Sequence, residues 1–210
     1  MSTITPRKIT CPLCETTFGG HTVLSSKSRG PTSSDLRRFT DGEDPIPKQL
    51  NACPGCGLTG DVSGFEEHAP KLDQRVAAAS TGVYFSQEDW EDAHDPMLAD
   101  RPVPADSTLR EQLVLLADRR AAATEPGIRW ENHAHVERWL DHGPLREGDA
   151  WLRAAWMHDD ADRDADSRRC RRRALHCYVQ GISQKKWFAR REDLVVIAYL
   201  AGELNRRLGN

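Results

Sequence analysis

The stretches Cys11-Pro-Leu-Cys14 and Cys53-Pro-Gly-Cys56 decide which fold the N-terminal part of the chain can adopt. A Cys-x-x-Cys turn directs two sulfur atoms at one point, and two such turns complete the tetrahedral four-thiolate shell that Zn²⁺ accepts. The proline after the first cysteine fixes φ and removes an amide donor, so neighbouring amides can point at the thiolates. Gly57 follows the second pair, where a positive φ suits the turn, whereas the first pair is followed by Glu15.

The spacing therefore predicts one structural Zn²⁺ per chain, with Cys11, Cys14, Cys53 and Cys56 as ligands. Four thiolates close the coordination shell to substrate, so we do not expect this metal to be catalytic. A redox-active pair and disulfide bonds are the alternatives. The redox alternative needs an apolar strand before the pair, and Lys48–Ala52 is not such a strand. Disulfides need a secreted context, and the first eight residues lack an apolar stretch of signal-peptide length.

The composition argues against two classes of protein. The chain has 29 Lys and Arg against 32 Asp and Glu in 210 residues, and this net charge of −3 gives no global positive field for nucleic acid. The longest nearly apolar run, Leu194–Gly202, is much shorter than the about 20 residues that a membrane span needs. We expect a cytoplasmic protein with no membrane partner.

Three segments follow one another along the chain. Residues 1–75 are rich in Gly, Pro, Ser and Thr, with β-compatible pieces at Phe18 and His21–Leu24, which is typical of a zinc-ribbon-like module with short β-hairpins. Residues 76–105 are predicted to form an acidic connector, and residues 106–210 a helical domain. The predicted fold class is therefore mainly α with a small N-terminal zinc ribbon.

The helical domain is predicted from apolar residues at spacings of three and four. The first helix begins at Asp106 or Ser107 and is interrupted at Pro126-Gly127. The others span about residues 129–142, 147–158, 166–183 and 192–208. Small residues at the expected contact positions favour stacked antiparallel pairs, as in helical-repeat solenoids that present a concave face to a protein or peptide. An ordinary small helical bundle is the alternative.

Two blocks of sequence carry a family resemblance. The first contains both cysteine pairs, Ser28-Arg29 and Asp35-Leu-Arg-Arg-Phe39; the second contains Leu152-Arg-Ala-Ala-Trp156, Ala174-Leu-His-Cys-Tyr178 and Tyr199–Gly209. Together they resemble an uncharacterised bacterial family, a domain of unknown function that combines a split four-cysteine zinc ribbon with tetratricopeptide-like helices. The resemblance implies zinc at the four cysteines and helical-repeat packing at the C-terminus, and it implies no reaction.

A basic strip lies between Ser167 and Arg191, where nine basic residues occur without any Asp or Glu. It can be a solvated face that balances the acidic stretches, a docking surface for an acidic protein segment, or a nucleic-acid surface on which arginines contact phosphates and aromatics stack on bases. The candidate partner-binding residues are Arg168, Arg169, Arg172, Arg173, Lys185, Lys186 and Trp187.

Two further cysteines lie seven residues apart in the helical region. Cys177 is interpreted as a core residue. Cys170 is flanked by arginines on both sides, and such cationic neighbours would lower the pKa of its thiol and could make it reactive.

One histidine–aspartate pair offers a catalytic alternative. His158-Asp159 resembles the motif of histidine–aspartate metallohydrolases, and His135 and Asp193 could complete such a ligand set. We favour a polar loop at Met157–Asp166, which would not hold ligands in rigid convergent positions. His135 and His142 are interpreted as surface histidines.

The sequence therefore favours a non-enzymatic zinc-binding adaptor or scaffold that binds a protein partner through its helical domain. A nucleic-acid-binding accessory factor that uses the basic strip is the first alternative, and the histidine–aspartate metallohydrolase is the second. Association into a homo-oligomer is left open.

Overall fold

The computed structural model describes residues 2–65 and 124–209, apart from residues 13, 27–29, 41–42, 141 and 185–190. In this part of the chain two β-hairpins precede four long helices, which confirms the predicted mainly helical fold with a small N-terminal β module. The predicted helix that begins at Asp106 or Ser107 and the acidic connector lie outside the described residues. Among the helices described, none is long and apolar enough to cross a membrane.

Each hairpin uses one Cys-x-x-Cys segment as its turn. Strand β1 (Thr3–Thr10) pairs antiparallel with β2 (Thr17–Ser25), and β3 (Asn51–Ala52) pairs antiparallel with β4 (Thr59–Gly60). Threonine, valine and isoleucine, which favour extended backbone, are frequent in the first hairpin. A 3₁₀ turn (Ile46–Lys48) leads towards β3. The strands therefore bring the two cysteine turns to the ends of two short ladders.

The side chain of Asn51 joins the two hairpins. Its amide oxygen accepts a hydrogen bond from the backbone N–H of His21 at 2.8 Å, and its amide nitrogen donates to the carbonyl oxygen of His21 at 3.0 Å. The amide thus satisfies the edge of β2 as a further strand would. Gly20 makes this approach possible, because a Cβ there would lie 2.6 Å from the amide oxygen of Asn51.

The helices lie close to the predicted positions. They are α1 (Pro126–Trp139), α2 (Pro144–Asp160), α3 (Asp164–Gln184) and α4 (Arg191–Leu208). The second and third predicted helices begin earlier than expected, at Pro126 and Pro144, because the first helical position needs no N–H donor. Gly209 ends α4 with a φ of 84°, as predicted.

Consecutive helices pack against each other. Glu131 and Arg138 of α1 contact His158 and Glu147 of α2 respectively, so residue numbers rise along one helix and fall along the other. The contacts of α2 with α3 show the same antiparallel order, and α4 packs on α3. Helical repeats and simple bundles share this arrangement. The tetratricopeptide-like character of the helices stays a prediction.

Two buried apolar clusters hold the β module and the helices together. The cluster between the helices contains Trp130, Trp151 and Tyr178, and it also includes Ile46 and Leu50 from the N-terminal part. The cluster around the cysteines includes Val136 and Leu140 of α1 together with Ile9, Leu58 and Phe65. Because each cluster combines residues of both parts, hydrophobic burial favours their association.

A segment between the two cysteine pairs, the tether loop (residues 30–40), is tied to the helices by buried charges. Asp35 is 2% exposed and accepts hydrogen bonds from the indole N–H of Trp156 at 2.9 Å and from Arg207 at 3.2 Å. Arg37 donates two parallel hydrogen bonds to Asp160, at 2.8 and 2.6 Å. The Asp35-Leu-Arg-Arg-Phe39 block of the sequence therefore fastens the part that contains the four cysteines to α2 and α4.

Candidate metal centre

The four cysteines of the two hairpin turns converge on one point. The Sγ atoms of Cys11 and Cys56 lie 3.6 Å apart, those of Cys14 and Cys53 lie 3.4 Å apart, and all four sulfurs lie within 4.8 Å of one another. A tetrahedron of thiolates with metal–sulfur bonds of about 2.3 Å has edges of about 3.8 Å. A disulfide would need about 2.0 Å, and all four cysteines are free. The cluster can therefore hold a metal ion.

The two turns have matching backbone geometry. In each, the first cysteine donates its N–H to the carbonyl oxygen five residues later, at 3.0 Å in the first turn and 2.8 Å in the second. Glu15 and Gly57 then donate to the carbonyl oxygens of Cys11 and Cys53. Gly57 has the positive φ that the sequence predicted, 74°, and Glu15 adopts the same conformation at 59°. The first turn therefore accepts a backbone conformation that is uncommon for residues other than glycine.

Burial and backbone amides act in opposite directions on the thiols. Burial, the larger effect, raises the pKa of Cys53 to about 11, although the backbone N–H groups of Cys56 and Gly55 lower it. The Cys11 thiol and then burial raise the pKa of Cys56, and the amide of Leu58 lowers it. Without a cation these effects favour neutral thiols. A divalent cation would instead stabilise the four thiolates at which the amides already point.

The cluster is closely enclosed. Phe18 and Phe65 pack edge to face beside it, with ring centroids 5.7 Å apart. Gly55 brings the second turn against the first, because a Cβ there would lie 2.6 Å from Thr16 Oγ1 and 3.2 Å from Cys14 Sγ. A metal held by all four cysteines would have a complete tetrahedral shell and no position for substrate.

A second buried cluster joins three helices. It consists of Glu131 on α1, His158 on α2 and Cys170 on α3, hereafter the Glu131 cluster, whose ligand atoms all lie within 4.8 Å of one another. Glu131 Oε1 accepts a hydrogen bond from His158 Nε2 at 2.7 Å and lies 3.7 Å from Cys170 Sγ. Arg169 donates to both carboxylate oxygens of Glu131, at 2.7 and 3.1 Å. Glu131 was not among the candidate ligands predicted from the sequence.

The predicted polar loop at Met157–Asp166 is wrong at both ends. Helix α2 continues to Asp160, with His158 1% exposed inside it, and α3 begins at Asp164, so the loop comprises three residues. The acidic run after His158 suggested a loop, but Asp159 and Asp160 point at cationic partners, Arg171 and Arg37. The sequence therefore does not reveal that the helix continues from Met157 to Asp160, because the charges of the two aspartates are balanced by arginines that are distant in the chain.

The ligand set of a histidine–aspartate metallohydrolase does not assemble among the described residues. Asp159 faces α3 and pairs with Arg171, whereas His158 faces α1. Asp193 is exposed in the first turn of α4. His135 packs its ring against Trp151, with centroids 5.1 Å apart. These four positions therefore do not share one metal.

The histidines expected at the surface are largely buried. His135 is 2% exposed, and the His142 side chain is 10% exposed with its Nδ1 2.8 Å from a carboxylate oxygen of Glu137. The prediction was wrong because α1 is covered by α2 and also by the cysteine module, as Val136 and Leu140 indicate. A helix covered on two sides has no continuous solvated face from which the pattern could be read.

Cys170 does not have the environment predicted for a reactive thiol. It is fully buried, and burial, followed by the negative charge of Glu131, raises its pKa well above the ordinary value despite Arg169 and Arg173. Adjacent residues on a helix point in different directions, so flanking arginines in the sequence do not surround the sulfur. Cys177 is 1% exposed in the core, as predicted.

The described residues of the basic strip do not form one continuous exposed surface. Arg168 is exposed and Arg172 is partly buried. Arg173 is buried, with its guanidinium 4.5 Å from the ring centroid of Trp151, and Arg169 is engaged by Glu131. The remaining candidates lie outside the described residues: Lys185, Lys186 and Trp187.

Comparison with known proteins finds a similarity at the C-terminal end. Residues 137–210 match a family described as "Uncharacterized protein conserved in bacteria (DUF2225)". This stretch comprises the end of α1 and all of α2 to α4, so the predicted resemblance to an uncharacterised bacterial family is confirmed there. The match does not include the four cysteines. No curated protein and no solved structure matches the chain.

Proposed function

We propose that the chain is a non-enzymatic adaptor or scaffold in which one structural Zn²⁺, held by Cys11, Cys14, Cys53 and Cys56, rigidifies a helical body that binds a protein partner. The closed four-cysteine cluster, built into the helical body through α1 and the tether loop, is the observation that carries this proposal. A metal in this setting holds structure together and is not available to substrate.

Zinc fits the donor set better than the metals that prefer oxygen ligands do. Four thiolates with tetrahedral spacing suit Zn²⁺ or iron, whereas Mg²⁺ and Ca²⁺ prefer oxygen ligands. The small apolar core around the cysteines also needs support, since loop-rich modules of this size depend on metals or disulfides. Zinc bound here would stabilise both hairpins and, through Val136 and Leu140, the docking of α1.

The outer face of α4 is the surface that best suits a protein partner. Val195, Val196 and Tyr199 are 62%, 45% and 50% exposed. A contiguous exposed apolar surface favours contact with another protein. The hydroxyl of Tyr199 donates to the carbonyl oxygen of Ser34 at 2.8 Å, so this face adjoins the tether loop. We call Val195, Val196 and Tyr199 the α4 face.

Part of the basic strip is compatible with the same partner. Arg168 and Arg172 lie one turn apart on α3, and Val179, which is 53% exposed, follows two turns later on the same side. A partner with apolar side chains flanked by acidic ones would suit this combination. Arg169 and Arg173 are better explained as structural residues, given their contacts with Glu131 and Trp151.

Site-specific photo-crosslinking in the cells that naturally make the protein tests this function. A photoreactive amino acid replaces Tyr199 or Val195, and Asp162, in the exposed turn after α2, is the control position. We expect both α4 positions to crosslink the same protein, and the control position not to. The crosslink should disappear when Val196 is replaced by aspartate, while the helical circular dichroism is unchanged.

Two outcomes would contradict the proposal. Crosslinking to nucleic acid from the α4 positions, with a yield that falls steeply as salt rises, would support the nucleic-acid-binding alternative. An identical pattern of products at the α4 and control positions would remove the α4 face as a binding surface.

A further inference from the structure

The Glu131 cluster has the donor composition of a transition-metal site. It offers a carboxylate oxygen, an imidazole nitrogen and a thiol sulfur, from residues that are 0%, 1% and 0% exposed. Zn²⁺ and related ions bind these three donors at about 2.0–2.3 Å. Neighbouring ligand atoms in a tetrahedral site then lie about 3.3–3.6 Å apart. The existing separations from Glu131 Oε1 are 2.7 Å to nitrogen and 3.7 Å to sulfur, so small side-chain rotations suffice.

A divalent cation would bring as much positive charge into the cluster as it displaces. Arg169 supplies one positive charge to Glu131, and Cys170 would bind a metal as its thiolate. Entry of a divalent cation would displace the guanidinium, release the thiol proton to solvent and require the proton of the neutral His158 imidazole to move from Nε2 to Nδ1. Two positive charges leave as two arrive, so the net charge of the buried site is unchanged and no additional buried charge is created.

Arg169 has a way to leave the cluster. Its side chain is 21% exposed, whereas those of Glu131 and His158 are 0% and 2% exposed. It already donates to Asp166, one helical turn earlier on α3, at 3.0 Å. Asp166 can therefore keep the guanidinium paired at the surface when its place on Glu131 is taken.

The imidazole is held rigidly for such a role. Gly127 of α1 lies against its ring, and a Cβ there would be 2.5 Å from His158 Cε1. The three donors are carried by three packed helices and not by loops, which is the placement that metal sites require.

We propose that Glu131, His158 and Cys170 form a second metal site, for a divalent transition metal such as Zn²⁺ or Co²⁺, and that Arg169 occupies this site when the metal is absent. The site is separate from the cysteine cluster and does not depend on the adaptor function.

Titration with Co²⁺ tests this proposal. One equivalent of Zn²⁺, which has no visible absorption, is added first and is taken by the four thiolates in preference to the three-donor site, and Co²⁺ is then added to this zinc-loaded chain. We expect one Co²⁺ per chain, with tetrahedral or five-coordinate visible bands and a thiolate-to-cobalt charge-transfer band in the near ultraviolet. Cys170→Ala should abolish that charge-transfer band. Cys177→Ala is the matched control, because Cys177 is buried on the same helix outside the cluster, and its bands should equal those of the wild type.

Arg169→Gln provides a gain of function that does not depend on a destabilised variant. Without the competing guanidinium we expect Co²⁺ to bind at least about tenfold more tightly, within the range by which neighbours of metal ligands change affinity. Absence of cobalt bands in both zinc-loaded wild type and Arg169→Gln would overturn the proposal and leave Arg169 as a purely structural partner of Glu131. Bands that persist unchanged in Cys170→Ala would also overturn it, because they would come from exchange at the cysteine cluster.

Discussion

The two buried clusters differ in how they are assembled and in how their charges are balanced. The cysteine cluster is built from two short turns, and it contains four thiols with no cationic side chain among the ligands. The Glu131 cluster is built from three helices, and Arg169 already balances its carboxylate. The first cluster therefore needs a metal to be stable as thiolates, whereas the second is stable without one. The comparison therefore predicts that the fold depends on metal at the cysteine cluster and not at the Glu131 cluster.

Removal of one cysteine ligand should have the largest effect. We expect Cys53→Ser to lose the metal and to unfold both hairpins, because metal binding to structural four-ligand sites contributes on the order of 10 kcal/mol to folding. Metal content, together with near-ultraviolet circular dichroism, measures both changes.

The matched control for that variant is Cys177→Ser. Cys177 is buried in the helical core and is not a member of either cluster. Its replacement should lower stability moderately and leave the metal content as in the wild type. Equal metal content in Cys53→Ser and Cys177→Ser would remove the distinction between the two kinds of cysteine.

A substitution in the tether loop should have the second-largest effect on stability. Asp35→Asn removes a buried charge that accepts hydrogen bonds from Trp156 and Arg207, and so weakens the attachment of the cysteine module to α2 and α4. We expect a loss of about 1–3 kcal/mol, since hydrogen bonds to a buried charged group are weakened or lost. Urea unfolding measures it. Asp162→Asn is the same chemical change in an exposed turn and should cost nearly nothing, so equal losses would show that the tether loop is not a buried link.

Local turn chemistry explains which parts of the fold could be predicted from the sequence. The cysteine ligands and Gly57 lie in short segments, so their roles can be read from neighbouring residues. Pro126 was read as an interruption, because the sequence does not indicate whether a proline follows one helix or begins the next. Helix positions were otherwise predictable, since apolar spacing depends on one element at a time.

The Glu131 cluster could not be predicted in the same way. Glu131 and His158 are 27 residues apart, and their contact depends on the antiparallel packing of α1 on α2. His135 was placed at the surface for the same reason, because its burial requires the hairpins and α2 together. The sequence does contain one indication of the cluster, an acidic residue beside Trp130 in an apolar helical stripe. This indication becomes informative once the packing is known.

Replacing one glycine in each of two helices compares the crowded start of α1 with the open outer side of α4. Gly127→Ala should cost about 1–3 kcal/mol, because the new Cβ meets the buried His158 ring that Glu131 holds in place. In Gly202→Ala the Cβ meets nothing within 4 Å, so the variant should be stabilised by up to about 1 kcal/mol through helix propensity. Thermal unfolding of both variants measures the difference, and a stabilised Gly127→Ala would contradict close packing over His158.

The smallest expected effect is a dependence of stability on pH that comes from His133, which lies on α1 beside β4. Burial lowers the pKa of His133 below 6.5, so the folded protein binds this proton less readily than the unfolded chain. The free energy of unfolding therefore keeps its full value above pH 6.5. It decreases as the pH falls below 6.5, by no more than about 1.4 kcal/mol at pH 5.5. His133→Gln should flatten the dependence of unfolding free energy on pH between 7.5 and 5.5. A slope as steep as that of the wild type would contradict this assignment.

The metal-to-chain ratio of the cysteine cluster tests the central claim most directly. Elemental analysis is performed on chains that carry Cys170→Ala, so that the Glu131 cluster does not contribute, with and without Cys53→Ser. The account predicts one zinc per chain when Cys53 is present, and none, together with loss of the N-terminal hairpins, when it is replaced. A folded, metal-free chain with Cys53 present would contradict it and would leave redox chemistry of the two cysteine pairs as the function to pursue.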